Sequence, residues 1–230
     1  MTAAGVHRRP PPGAAPAEAA RRPGGGGTAA GLRLAWLYAI SRRVPAALGL
    51  LAGLGVLQWA ALDGHWNISG GPAARELLPL VVETGAAAII AVTTYGPFGE
   101  PERATGRWLP WLRLGTALAL TAAAFGLLAA GATGGALPGG TLALLRNLAG
   151  MTGTGLLAAA VVGGAFGWIG PMAYWLITES VLAAGWTTPW IWPARPPLDR
   201  GGAICAALVF TAGTVLITVR GATGGLPHRG

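Results

Sequence analysis

The sequence predicts an all-α, polytopic membrane helix bundle of about six transmembrane helices, preceded by an N-terminal interfacial helix. Of its 230 residues, 53% are hydrophobic and only 10% are charged, against about 25% charged in a soluble domain. The apolar residues fall in long runs with few charges, near the ~20 residues needed to cross a ~30 Å hydrocarbon core. Most of the charged residues lie between these runs or at their ends.

Residues 1–30 are rich in Pro, Gly and Ala and poor in bulky apolar side chains. Such a segment cannot offset its ordering entropy, which predicts a disordered cytoplasmic tail. Residues 31–220 then form the transmembrane domain, and 221–230 a second cytoplasmic tail. Gly31–Val44 carries Leu32, Leu34, Trp36, Leu37, Tyr38 and Ile40, flanked by Arg33, Arg42 and Arg43. Arginines at mid-bilayer are costly, so this segment is read as a helix on the membrane surface rather than an extension of the first span.

The predicted spans are 45–62, 77–95, 112–132, 142–168, 171–186 and 203–219. The fourth and fifth belong to one apolar stretch too long for a single crossing. Ile169-Gly170-Pro171 supplies the break, because proline cannot continue the helical hydrogen-bond ladder. Gly49 and Gly53 in the first span have GxxxG spacing, and Gly155, Ala159, Gly163 and Gly167 form a small-residue ridge in the fourth, both read as close packing between helices. Trp59, Trp66, Trp108, Trp111, Trp186, Trp190 and Trp192 fall near predicted interfaces, as anchoring tryptophans do.

The net charge is +8, and all 16 basic residues are arginine. They flank spans rather than forming a stripe, so topology explains them and nucleic acid is not a predicted partner. With the N-terminus inside, twelve arginines are cytoplasmic and four external (Arg75, Arg146, Arg195 and Arg200). The excess comes mostly from the N-terminal region. The lysine-free, Ala-, Gly-, Pro- and Arg-rich composition is similar to that of high-GC bacteria such as actinobacteria, which points to a bacterial plasma membrane. Cys205 is alone in an apolar run, so the chain offers no disulfide framework or zinc cluster. No HExxH or GxSxG motif is present, and a Walker A loop needs a lysine that this chain lacks. The expectation is a non-enzymatic membrane subunit with no cofactor or metal of its own.

Ionisable groups inside spans are costly and are either functional or paired. Glu83 and Arg146 lie roughly 9 and 6 Å from the external side, at about 1.5 Å per residue. Their similar depths predict a structural pair. Glu179 lies roughly 12 Å from the cytoplasmic side, without a depth-matched basic partner. It is either a proton or substrate group, or a carboxyl satisfied by a neighbouring hydroxyl.

The loop 97–108 between the second and third spans carries Glu100, Glu102, Arg103, Gly106 and Arg107. Together with the surface helix ahead of the first span, it resembles the six-helix permease subunits of ABC-type exporters. In that family an amphipathic helix precedes the first span, and a short charged segment between spans two and three docks on the ATPase. The stretch Thr187–Gly202, with Trp190, Trp192 and four prolines, is similar to the family's extracellular elbow. Pro97, Pro101 and Pro110 depart from a regular coupling helix. The resemblance implies a separate ATP-binding subunit, a second permease subunit (identical or not) and coupling through Glu100, Glu102, Arg103 and Arg107. Two other readings remain at this point: an ion-coupled carrier using Glu179, and a non-transporting scaffold subunit of a membrane complex.

Overall fold

The computed structural model describes residues 27–63, 71–94, 109–137, 139–183 and 188–220. Seven α-helices are present among them: α1 (Gly27–Ser41), α2 (Val44–Leu62), α3 (Gly71–Thr93), α4 (Leu109–Gly131), α5 (Gly140–Val161), α6 (Ile169–Ala183) and α7 (Arg200–Arg220). Short 3-10 turns follow α4 and α5 and precede α7. The chain is a polytopic membrane helix bundle. α2, α5, α7 and α4 with its 3-10 extension are each long and apolar enough to cross a membrane. α3 adds the shorter apolar stretch Leu78–Thr93, and the 15 residues of α6 reach about 22 Å at 1.5 Å per residue. Of the predicted tails, 1–30 and 221–230, residues 1–26 and 221–230 lie outside the described residues, and 27–30 form the first turn of α1.

α1 is separated from α2 by a sharp turn at Arg42–Arg43, where Arg43 takes a left-handed backbone conformation with φ 56°. Pro45 follows in the first turn of α2, where its missing N–H costs nothing. Arg42 is drawn into the bundle: its guanidinium lies over the Tyr38 ring, 5.2 Å from the centroid, and donates to the carbonyl of Thr94 at the end of α3. The break ahead of α2 is thus where the arginine pair predicted it.

The second break differs from the predicted one. α5 ends at Val161, seven residues before the predicted end of the fourth span, and the turn runs through Gly163 at φ 123° and Gly164–Phe166. Only glycine adopts Gly163's backbone without strain. Pro171 falls in the first turn of α6, where its lack of an N–H interrupts no helical bond. Proline therefore starts α6 rather than making the break. α3 likewise begins at Gly71, ahead of the predicted start, and carries Pro79 inside it.

Side-chain neighbours give the direction of each helix. Arg42 meets Thr94 and Leu54 meets Gly85, so α2 and α3 are antiparallel. Gly55 meets Leu127 and Trp59 meets Gly134, so α4 runs with α2. Thr84 meets Met151 and Ala91 meets Gly155, which sets α5 alongside α3. Gly170 packs on Thr154 and Ala158 while Tyr174 stacks on Trp192 beside Gly150, so α6 climbs back along α5. Phe210 meets Gly153 and Ile217 joins Leu156, Ala159 and Ala160, so α7 descends with α5. From α2 to α7 the chain reverses at every connection.

α5 is the axis of this arrangement, with 67% of its apolar window buried against 22–33% for α2, α4 and α7. One apolar cluster joins Leu51, Ile90, Leu128 and Leu148 from α2, α3, α4 and α5, and a second joins Ala117, Leu156 and Ile217. Close approach depends only in part on the glycines the spacing singled out. Gly49 and Gly53 have nothing within 4 Å, whereas Gly55 and Gly131 let α2 and α4 touch through backbone. On α5, Gly153 faces Gly213 of α7 and Gly150 faces the Trp192 indole, while Gly155 packs on α3 as the ridge predicted. Such crossings supply the van der Waals contact that replaces hydrophobic driving force in lipid.

Candidate functional site

The distinctive polar feature is a buried layer where α3 and α5 meet α6 and the segment between α6 and α7. Glu83 on α3 and Arg146 and Asn147 on α5 are 3%, 6% and 8% exposed. All three lie within the apolar stretches of their helices, Leu78–Thr93 and Gly140–Val161. The Glu83 carboxyl faces Asn147 and lies within electrostatic reach of Arg146. Its Oε2 has no hydrogen-bond partner.

Arg146 is held differently from the predicted pair. Its Nη1 donates to the Pro196 carbonyl at 2.7 Å and its Nη2 to the Arg195 carbonyl at 3.0 Å, while Nε reaches Asn147 Oδ1 at 3.4 Å. The guanidinium thus ties the α6–α7 connection to α5, and the Glu83 carboxyl lies nearby without a hydrogen bond to it. Planar guanidinium donors suit two adjacent carbonyls, whereas a lysine ammonium would not span them in the same way.

The connection itself dips into the bundle. Ile191 is 0% and Trp192 2% exposed, and the Trp192 ring stacks on Tyr174 with centroids 4.3 Å apart and planes at 14°. Tyr174 in turn donates its hydroxyl to the Trp190 carbonyl at 2.7 Å. Trp192 is therefore a buried wedge between α5, α6 and α7, not the interfacial anchor its position suggested. Trp59, Trp111 and Trp190 are partly exposed, as anchors are.

Asp199 closes the segment. Its Oδ2 accepts from the Gly202 N–H at 2.7 Å, which makes it the N-cap of α7. It also pairs with Arg195 at 3.0 Å. The Arg195 guanidinium and then the Gly202 N–H hold its carboxyl below the usual carboxylate range. Because its folded-state pKa is lowered, this contribution is present above the unfolded value of ~3.9 and is lost as pH falls through the folded value. Asp199→Ala is expected to lower thermal stability more than Asp199→Asn, since asparagine keeps a capping acceptor. The difference between wild type and Asp199→Asn should shrink as the melting buffer is taken below pH 4.

Glu179 lies on α6, half-buried, with Oε1 shut from solvent and unpaired. Arg146 and Glu83 are brought into one layer. Glu100, Glu102, Arg103 and Arg107 lie outside the described residues, between Thr94 and Leu109. Asn147, Tyr174 and Gln58, whose Nε2 bonds the Leu128 carbonyl at 3.2 Å across α2 and α4, escaped the sequence reading. Asn147 was findable, as an amide beside an intramembrane arginine. Among the described residues no group of His, Cys, Asp and Glu could hold a metal ion. The layer is built to hold a segment in place, and its open acceptor is the Glu83 carboxyl. Comparison with family models, with curated proteins and with solved structures gave no match.

Proposed function

We propose that the chain is the permease subunit of an ATP-driven exporter of the ABC type, crossing a bacterial plasma membrane six times with both termini in the cytoplasm. The observation that supports this reading best is the clustering at one end of the bundle. The end of α1, the end of α3 and the start of α4 meet there, through the Arg42–Thr94 hydrogen bond and the packing of Tyr38 and Ala39 near Trp111 and Leu112. Thr94 and Leu109, which flank the charged segment with Glu100, Glu102, Arg103 and Arg107, thus both lie at the end of the bundle where α1 meets α2. An ATPase docking on that end would push on both at once. Arg42, Arg43, Arg113 and Arg220 lie at this end, which suits a cytoplasmic face. The dipping Ile191–Trp192 segment, at the other end, matches the elbow of the resemblance.

In this mechanism the chain has no catalytic site. Nucleotide-driven closure of a separate ATPase moves the 95–108 segment and α1, and the helices of two permease subunits rearrange around an inter-subunit path. Affinity purification of the full chain from its native host should recover an ATP-binding protein. Charge reversal at Glu102 and Arg103 together should uncouple its ATP turnover from the membrane subunit. A stable preparation with no associated ATPase, and unaltered turnover in the double variant, would defeat the proposal.

An ion-coupled carrier using Glu179 is favoured by one observation, the buried and unpaired Oε1. Glu179→Gln abolishing transport at every pH, in the absence of any ATPase, is the result that would transfer the assignment to it.

A further inference from the structure

We infer that the groove between α1, α2 and α4 is a binding site for one acyl chain of an anionic phospholipid. The inference is independent of the exporter reading. The groove is a cavity of about 440 Å³ whose walls include Tyr38 and Ala39 of α1, Leu48 of α2, and Gly115, Ala119 and Ala123 of α4. Its α4 wall runs from Trp111 to Ala123, about 18 Å at 1.5 Å per residue. One leaflet of a ~30 Å hydrocarbon core is about 15 Å deep. The groove is therefore as long as one leaflet, and its small residues on α4 leave the width of a chain. Gly115 has no atom within 4 Å of where a Cβ would stand.

Charge selects the headgroup. Arg43, next to the lining residue Val44, is exposed, and Arg113, next to the lining residue Leu112, lies at the same end of the bundle. α1, α2 and α4 carry no acidic residue. Tyr38 and Trp111 stand at the same level, where amphipathic rings meet headgroups. A second copy of the chain would bring the same arginines to the same end, like charge against like. An anionic phospholipid satisfies both features, with its tail along α4 and its phosphate toward Arg43.

Arg43 also supplies a clean variant. Its φ of 56° is one that glycine adopts without strain, so Arg43→Gly removes the charge and keeps the turn. Full-length purified protein would be titrated with phosphatidylglycerol or phosphatidylcholine of identical tails and read by native mass spectrometry, with thermal melting to verify each variant's fold. Phosphatidylglycerol should be retained preferentially. Arg43→Gly should cut that preference roughly fivefold, the worth of one arginine near an anionic surface. Gly115→Leu combined with Ala119→Leu should reduce retention of both lipids by filling the groove. Equal retention of the two lipids by the wild type would overturn the inference. So would unchanged phosphatidylglycerol retention in the filled variant, or a dimer that the filled variant alone loses, which would put a second copy in the groove.

Discussion

Gly153→Val is expected to separate α5 from α7 and to leave little folded protein. A Cβ at Gly153 would stand 2.6 Å from Phe210 Cα and N, and 2.6 Å from the Val209 carbonyl carbon. These are backbone atoms of a helix and cannot swing aside. Overpacking costs typically about 1–3 kcal/mol even where side chains can yield, and here the whole of α7 has to move. Gly213→Val, from the other side of the same crossing, should behave alike, and the double variant should be less damaging than two independent losses. Gly49→Val and Gly53→Val are the controls, since neither glycine has a neighbour within 4 Å. Their melting temperatures in detergent should stay near wild type. Equal damage at Gly49 and Gly153 would refute the packing described for α5 and α7.

Arg146→Ala is expected to release the segment between α6 and α7 from the bundle. It removes two charge-assisted hydrogen bonds to loop carbonyls, worth about 1.5–3 kcal/mol each, and leaves the Arg195 and Pro196 carbonyls without their donor. Trp192→Ala should cost about 3–5 kcal/mol by emptying the space beside Gly150. The two effects can be told apart. In a Cys205→Ser background, Ile191→Cys should resist maleimide because that position is 0% exposed. Adding Arg146→Ala should make it reactive, while Arg146→Lys should protect it only partly, for want of a planar fork. Ile191→Cys that reacts equally with and without Arg146 would show that the guanidinium does not hold the segment.

Hydropathy made the helices legible, because an apolar run of bilayer length admits few structures besides a helix. The arginine pair at 42–43 likewise marked the end of α1 correctly, since charge and apolar span cannot share one depth. The break after α5 was placed too late. Proline is the expected breaker, yet Gly163 makes the turn and Pro171 begins the next helix. Glycine spacing is a mixed guide to which helices touch: Gly155 of the ridge does pack on Ala91. Gly49 and Gly53 have GxxxG spacing on a face that meets nothing, while Gly153 and Gly213 meet across 60 positions of sequence with no local signal. The buried layer was half legible. Depth alone brought Glu83 and Arg146 together, but the guanidinium's partners are carbonyls, which every residue possesses and no sequence pattern advertises. Trp192 was misread for the same reason: a tryptophan in a proline-rich connection has the look of an anchor until the connection is seen to fold inward.

The account depends on α6 turning back along α5, so that the 162–168 turn and the 188–199 segment lie at opposite ends of the bundle. Paired cysteine labelling reads this at two exposed positions, Phe166 at 48% and Leu198 at 80%, in the Cys205→Ser background. With a membrane-impermeant maleimide on intact cells, Leu198→Cys should label at once and Phe166→Cys only after permeabilisation. Labelling of both positions from the same side would contradict the fold, and with it the even number of crossings on which the proposed function rests.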